Sequence, residues 1–549
     1  QVLNNVVPKE SDPLIANKDK CSPPPGWDLG LCDWFLELKA KAGYELLVIL
    51  FFSEHLGRGV LGALIGGSTS YIYRDYHVPA TKIQIYSGIV GLPWALKPVV
   101  GLLSDLVPIG CYNKAPYMVI VTVLGTAAFV CVGVIPASSL PIAAVVACFF
   151  TQQMQLSTND LLTEATYAEK IRETPDIGPA IISYVWFGMN VGGLVGTLLV
   201  GWLVSYSPKL PFTVAVFASV PILAPLALGH LKEKPLTDQE LSARRARIAL
   251  EGEVCLIAGL MVLAAAALAL SGLLTGDPII NGCVAIAVLL MMLTVVSLVL
   301  TPVLAKFTVF SMLQPALTLS ISGAGFYFGI DTPAEFPQGP HFSMFFLTSV
   351  MGTVGQVMSL VGVLCYQRYM STWRYRSLLM VSNIAYTLAS LLGVLFYTRL
   401  NLKLGIPDHV FVLGGDALQA LIFQWQWMPQ VVILAYLCPA GIEATMYALL
   451  AGCHNLGSSV SSSMGSLLLK ILQIDPDGSL DESAQFKNLW IASAISSVLP
   501  LITILLLIKL VPDGQQGEKL IPDDQRSATA GSLWRTWMGR ETATHSTQV

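Results

Sequence analysis

Gly91-Leu-Pro-Trp-Ala-Leu-Lys-Pro-Val-Val-Gly-Leu-Leu-Ser-Asp105, running into Pro108-Ile-Gly-Cys-Tyr-Asn-Lys114, decides how this chain is read. Its body is apolar apart from one lysine, and it ends in a loop of Gly, Pro and Lys. A helix rising about 1.5 Å per residue needs roughly 20 mainly apolar residues to cross a hydrocarbon core of about 30 Å. The window at 83–106 that contains this string meets that length. Lys97 stands about two helical turns inside Asp105, and Pro98 beside it removes a backbone donor, so a kink is expected there.

The rest of the chain repeats that pattern. The 549 residues are 54% hydrophobic and 12% charged, with mean hydropathy +0.65, against about a quarter charged in soluble domains. Fourteen windows are long and apolar enough to span, at 44–72, 83–106, 116–136, 140–165, 179–206, 211–230, 253–274, 281–303, 309–330, 342–367, 376–398, 420–450, 454–473 and 487–510. Breakers such as Pro136, Pro208 and Pro211, Thr275-Gly-Asp-Pro278 and Asp331-Thr-Pro-Ala-Glu-Phe-Pro337 fall between them. The expected fold is therefore an all-α polytopic membrane protein with twelve to fourteen transmembrane helices. Alternating the segments from an inside N-terminus puts 22 Lys and Arg on inner segments and seven on outer ones. Both termini are thus expected on the cytoplasmic side.

The formal net charge of -4 and pI near 6.0 give no polyanion-binding surface, so nucleic acid is not an expected partner. Ten cysteines are scattered, mostly within apolar runs, with no CxxC pair and no Cys/His cluster at metal-ligand spacing. They read as packing residues and free thiols, and neither metal nor cofactor is expected. The polar N-terminal segment is not a cleavable signal peptide, so the first apolar helix reads as a retained anchor.

Glu164-Ala-Thr-Tyr-Ala168 in the fourth window matches Glu443-Ala-Thr-Met-Tyr-Ala448 in the twelfth. Each precedes a stretch rich in small residues, Gly188-Met-Asn-Val-Gly-Gly-Leu-Val-Gly196 and Asn455-Leu-Gly-Ser-Ser-Val-Ser-Ser-Ser-Met-Gly465, which lets helices approach closely. With windows seven and eight as an insert, the match predicts two parallel six-helix repeats with substrate between them at the midplane. The boundaries expected are a cytoplasmic tail at 1–42, a first half at 43–230, a cytoplasmic loop at 231–252, two additional helices at 253–305, a second half at 306–510 and a cytoplasmic tail at 511–549.

Gly101-x-x-x-Asp105 followed by Gly and a cation resembles the signature loop of the major facilitator superfamily. With Trp94, Lys97-Pro98, Asn159-Asp160, Glu164-Ala-Thr and Trp186, the chain is similar to the folate–biopterin transporter family, closely from about 86 to 206 and more weakly from about 309 to 465. The resemblance implies a major-facilitator-like two-repeat bundle and a latch role for Asp105; the lesser alternative, from the residues alone, is a helix-end cap. Asn113-Lys114 stands where the superfamily has paired arginines, and the second-half counterpart, Gly362 to Arg376, lacks the Asp.

Ionisable groups inside a span cost at least about 2.5 kcal/mol each, so they pair or line a wet cavity. Glu54 and Arg58 are four apart on one helix face. Either they neutralise each other, or Arg58 meets an anionic substrate while Glu54 exchanges a proton. Lys97 either holds a substrate carboxylate or pairs with an acidic neighbour. In the fourth span Gln153, Asp160 and Glu164 share one stripe; amides read the edge of a pterin ring or bond between helices, and a desolvated carboxylate takes up a proton. Trp186 and Asn190 share a face of the fifth span, Trp186 either stacking a flat substrate or belonging to an interfacial belt. Tyr327 ends the ninth span and is taken as substrate-binding, and Glu443 is the second-half partner of Glu164. Trp425 and Trp427 read as belt residues, and Arg244-Arg-Ala-Arg247 as a topology signal near acidic lipid.

The expected function is secondary active transport of a small molecule, folate or pterin by the resemblance, by alternating access with proton coupling through Glu54, Asp160 or Glu164. The expected setting is the lipid bilayer of the plasma membrane, with the chain a monomer. Carriage of S-adenosylmethionine is the alternative that the resemblance also allows. A membrane enzyme or receptor finds no phosphate-cradling Gly loop, Ser/His/Asp set or sizeable soluble domain.

Overall fold

The computed structural model describes residues 31–174, 177–250, 252–438, 443–516, 518, 520 and 527–539. Eleven of its helices are long and apolar enough to cross a membrane: α1 (Tyr44–Asp75), α2 (Ala80–Leu106), α3 (Ala115–Val134), α5 (Gly178–Tyr206), α6 (Leu210–Ala227), α7 (Gly252–Thr275), α8 (Pro278–Val299), α9 (Pro302–Ile330), α10 (Phe346–Met370), α11 (Tyr375–Tyr397) and α14 (Ser483–Leu510). Three more, α4 (Ile142–Glu173), α12 (Asp408–Tyr436) and α13 (Glu443–Ile471), are as long but carry more polar side chains. Those polar residues face other helices: Gln152, Gln155, Asn159 and Asp160 of α4 are all buried.

The windows expected at 420–450 and 454–473 need correction. The helices run 408–436 and 443–471, whereas a hydropathy window reads straight through this apolar stretch of the sequence. Glu443 therefore opens α13 instead of lying in the twelfth span, and its side chain lies outside the described residues. Glu164 is in α4, so the Glu-Ala-Thr match does not occupy equivalent helices. The segment expected as the loop 231–252 contains the helix Asp238–Leu250.

A reciprocal packing carries the repeat instead. α2 lies along α13, and α5 lies along α10, the second helix of each six-helix set against the fifth of the other. Small residues permit both approaches. A Cβ on Gly88 of α2 would sit 3.0 Å from the Ser459 carbonyl, and one on Gly201 of α5 would meet Ser349 Oγ at 2.3 Å. Helices α7 and α8 pack on α2 and α13, where a Cβ on Gly282 would meet Leu467 at 2.7 Å.

Even and odd helix ends alternate between two faces. At the face holding the α1–α2 turn, the two helix sets are clasped together. Arg74 donates to Asp331 (3.1 Å) and Glu335 (2.6 Å), Tyr327 Oη donates to the Val78 carbonyl (2.8 Å), and Thr81 donates its hydroxyl to Asp475 (2.8 Å). At the face holding the start of α1, the ion pairs Asp105–Arg244, Lys114–Glu169 and Arg374–Asp513 each stay within one set, its linker or its tail.

Candidate functional site

The decisive string folds as two helical pieces. Regular α-helix ends at Ala95 and resumes at Lys97, because Pro98 has no N–H to give the Trp94 carbonyl. That freed carbonyl accepts from Asn455 Nδ2 of α13 at 3.2 Å. The same device recurs in α9: Pro315 frees the Ser311 carbonyl, which takes a hydrogen bond from His454 Nδ1 at 2.9 Å. Two neighbouring residues of α13 thus cap the proline breaks of α2 and α9, one in each helix set. Donating from Nδ1 makes Nε2 the acceptor nitrogen of a neutral His454.

α1 is π-helical over Phe51–Leu61, a widened turn frequent at functional sites. Its close approach to α5 requires glycine. A Cβ on Gly188 would overlap the His55 ring at 2.0 Å, and one on Gly192 would meet the His55 carbonyl at 2.2 Å.

Between these elements lies a charged cluster. Arg58 Nη1 donates to Asp160 Oδ1 at 2.5 Å, and Lys97 Nζ donates to Asp160 Oδ2. Asp160, with 4% of its side chain exposed, is held by two cations from two helices. Trp94 backs both: Arg58 lies 5.4 Å and Lys97 4.9 Å from its ring centroid, while Trp186 meets Arg58 at 5.7 Å. The Trp94 indole N–H donates to Gln153 Oε1 at 2.8 Å. Glu54 is buried beside Asp160 and Arg58, with no hydrogen-bond partner on either oxygen among the described residues. Glu164 lies in the field of the same groups. Asn159 and Gln155 serve the scaffold, donating to Thr122 (3.0 Å) and Ser219 (2.8 Å).

Of the residues singled out in the sequence, Glu54, Arg58, Lys97, Gln153, Asp160, Glu164 and Trp186 converge here. The Glu54–Arg58 neutralising pair is not what forms, since Arg58 turns to Asp160. Asn190 donates to the Trp186 carbonyl of its own helix (2.7 Å). Tyr327 sits in the clasp at the α1–α2 turn, away from the cluster. Asp105 pairs with Arg244 of the linker helix (3.0 Å) and accepts from Asn113 (3.2 Å), which gives the arginine string a contact beyond topology.

A second polar group, on α9, α11 and α12, does not stand out in the sequence. Gln314, Asn383, Gln426 and Gln430 are all buried and joined by hydrogen bonds. Gln314 donates to Asn383 (2.7 Å), Gln426 to Asn383 (3.1 Å) and Gln430 to Gln314 (2.7 Å). Trp427, expected in a belt, faces this group and packs on His454 with ring centroids 5.0 Å apart. Trp425 donates to the Gly362 carbonyl (3.2 Å).

The model of the BT1 family matches residues 58–528. The chain is 26% identical over 494 residues to probable folate-biopterin transporter 6 of Arabidopsis thaliana, covering 89% of this chain and 87% of that protein. It is 27% identical over 479 residues to the folate-biopterin transporter of a Synechocystis species, covering 85% and 83%. Among solved structures, a peptide transporter POT in complex with sulfate superposes with a TM-score of 0.57 at 15% identity, covering 85% of this chain and 96% of that one. The inward-open xylose transporter XylE from E. coli gives 0.52 at 14%, covering 87% and 98%. The fold is that of major-facilitator-type transporters.

Proposed function

Because this chain belongs to the BT1 family of membrane transporters, we propose that it carries a folate or pterin across the membrane by alternating access, coupled to a proton. The observation that carries the reading is Asp160 held between Arg58 and Lys97, a buried charged site at the junction of α1, α2 and α4 with an indole on each side of Arg58. An anionic substrate group can replace Asp160 as the partner of these cations. An aromatic ring can stack on Trp94 or Trp186.

Charge counting supports the proton. Glu54, Asp160 and Glu164 face Arg58 and Lys97, so one bound proton makes the cluster neutral, and uncompensated charge inside a bundle is costly. Glu54, with no hydrogen-bond partner on either oxygen among the described residues, is the group assigned to hold it. The clasp of Arg74, Asp331, Glu335 and Tyr327 corresponds to a state closed at the α1–α2 face, and the opposite face is where substrate leaves or enters.

In this reading the two six-helix halves are 43–230 and 306–510, with α7 and α8 added between them, and the chain acts as a monomer. The excess of Lys and Arg on the segments at the α1 start supports both termini in the cytoplasm, and the plasma membrane is the proposed site. The deciding experiment is uptake of radiolabelled folate and biopterin by expressing cells, at acidic and neutral external pH. Saturable uptake stimulated by external acid is expected. Uptake of neither compound removes the cargo, and uptake indifferent to pH removes the proton. A fluorescent fusion reports the membrane.

A further inference from the structure

Deepening that reading, on which it rests, we infer that the amide group of α9, α11 and α12 is a second binding subsite, one that takes the neutral, planar heteroaromatic end of the substrate while the Arg58–Lys97 cluster takes the anionic end. Amides inside a bundle often only join helices, and the scaffold amides Gln155 and Asn159 also keep an oxygen without a partner among the described residues. This network differs from them in lining a cavity. Gln430 spends its Nε2 on Gln314 Oε1 (2.7 Å) and the Gln426 carbonyl (3.1 Å), but its Oε1 is buried with no partner among the described residues. Gln430 is 3% exposed, and buried polar atoms are otherwise bonded in the great majority of cases.

Gln430 also lines a cavity of about 230 Å³ whose wall includes Gln314, Asn383, Gln426, Trp427 and His454 and, among the described residues, no Asp, Glu, Lys or Arg. That wall selects a neutral group. It offers hydrogen-bond partners of both kinds, an acceptor from Gln430 and a second N–H from Gln314 and from Gln426, and an indole for a flat ring to lie on. The volume falls below the roughly 300–1,000 Å³ of pockets that enclose drug-sized ligands, so it suits one bicyclic ring and not a whole folate. A ring whose edge alternates N–H donors with carbonyl or imine acceptors fits these amides; the edge of a pterin does.

The two subsites meet through α13. His454 forms part of the cavity wall, and its neighbour Asn455 donates to the carbonyl of Trp94, the indole that backs Arg58 and Lys97. A molecule with a ring at one end and carboxylates at the other bridges the two helix sets along this line. One with the ring alone occupies only the amide side.

The test uses the purified full chain and two probes: pterin, a bicyclic ring without carboxylates, and p-aminobenzoylglutamate, which has carboxylates and no pterin ring. Titration calorimetry on Gln430→Met is expected to show pterin weakened about tenfold and p-aminobenzoylglutamate unchanged. Lys97→Ala reverses the order. Both probes weakening equally in Gln430→Met, or neither, overturns the assignment. Trp427→Phe leaves every amide in place, and the pterin-dependent quenching of the emission of the eleven tryptophans should fall clearly in it; quenching as large as in the unsubstituted chain also overturns the assignment. Reconstituted uptake separates this inference from the reading beneath it. A chain that binds pterin in the amide pocket yet moves neither folate nor biopterin loses its cargo and keeps the subsite. Uptake with an unchanged KM in Gln430→Met loses the subsite and keeps the cargo.

Discussion

The two helix sets are built to one plan and lined with different chemistry. In the first, a carboxylate is gripped by a guanidinium and an ammonium from separate helices. In the second, three helices contribute four uncharged amides. Both sets break a helix at a proline, and both breaks are capped from α13. The backbone device is shared, so the side chains carry the division of labour. A buried ion pair has little net stability to give, but it is severely disrupted when one partner goes; an amide network tolerates loss in smaller steps. The charged side should therefore fail as a switch and the amide side by degrees.

The largest expected effect follows from that asymmetry. Asp160→Asn leaves Arg58 and Lys97 adjacent and without their shared carboxylate. Breaking such a pair costs about 3–5 kcal/mol, so uptake should fall by roughly 100-fold or more. Initial-rate uptake normalised to surface expression measures it, and retention of more than half the activity would show that the ion pair is dispensable. Next in size are the caps. Asn455→Leu strips the Trp94 carbonyl of its donor, and His454→Leu does the same for Ser311, each leaving a buried acceptor unmet at about 1–3 kcal/mol. Each should lower the thermal midpoint of the purified protein. Asn455→Leu should also depress maximal uptake of anionic cargo more than His454→Leu does, because Trp94 backs the cations. Equal effects of the two would blur the contrast between the halves.

The charged half was far more legible in the sequence than the amide half. Lys97, Asp160 and Glu164 stand out because an ionisable residue in an apolar run has few innocent explanations, and Pro98 announces the kink. The partner of Arg58 was not legible. Glu54 lies four residues away and Asp160 102 residues away, and only the three-dimensional arrangement of α1 against α4 chooses between them. Asn383, Gln426 and Gln430 are single amides, each tolerable by itself, and become a group only when α11 and α12 meet. Trp427 read as a belt residue since pocket and belt tryptophans look alike in a sequence. The α12–α13 boundary escapes a hydropathy window, which averages across it. Tyr327 stands near the end of α9, as its place in the apolar run implies, but the closing turn that brings Val78 to it is a tertiary fact.

The clasp that includes Tyr327 carries a larger excess of acid than the central cluster, and lies nearer to solvent. Arg74 pairs with Asp331 and Glu335, Glu482 lies beside Asp331, and His341 is bonded to the Asp331 carbonyl. Burial, reinforced by the Glu482 carboxyl, raises Asp331 well above the usual carboxylate range despite Arg74. An open face would return Asp331 to water and to its ordinary value, so closing takes up a proton. The closed state gains most from Asp331 at low pH and loses that gain as pH rises through the raised value. In a background without the ten native cysteines, a cysteine placed at Thr348, which bonds Tyr71 at this face (2.8 Å), should label several-fold faster at alkaline than at mildly acidic pH once its rate is divided by that of a fully exposed cysteine at the same pH, which removes the thiolate's own pH dependence. Asp331→Asn should flatten that dependence, and a profile unchanged by the substitution would assign the pH response elsewhere.

The smallest effect is expected where the family resemblance is strongest. Asp105 ends the string that first identified the fold, and its partner Arg244 lies in the linker helix, with 38% and 39% of the two side chains exposed. Exposed pairs contribute about 0–1 kcal/mol, a range in which Asp105→Asn alters uptake by no more than about fivefold. Asn113 also donates to Asp105, and an asparagine at 105 can still accept that bond. Arg244→Ala should therefore match Asp105→Asn in size, and the double variant should be no worse than either, since all three remove the same contact. A double variant clearly worse than both singles would mean that Asp105 also touches the second helix set in another state of the cycle. The linker contact would then be the resting half of a latch that changes partners as the two sets rock.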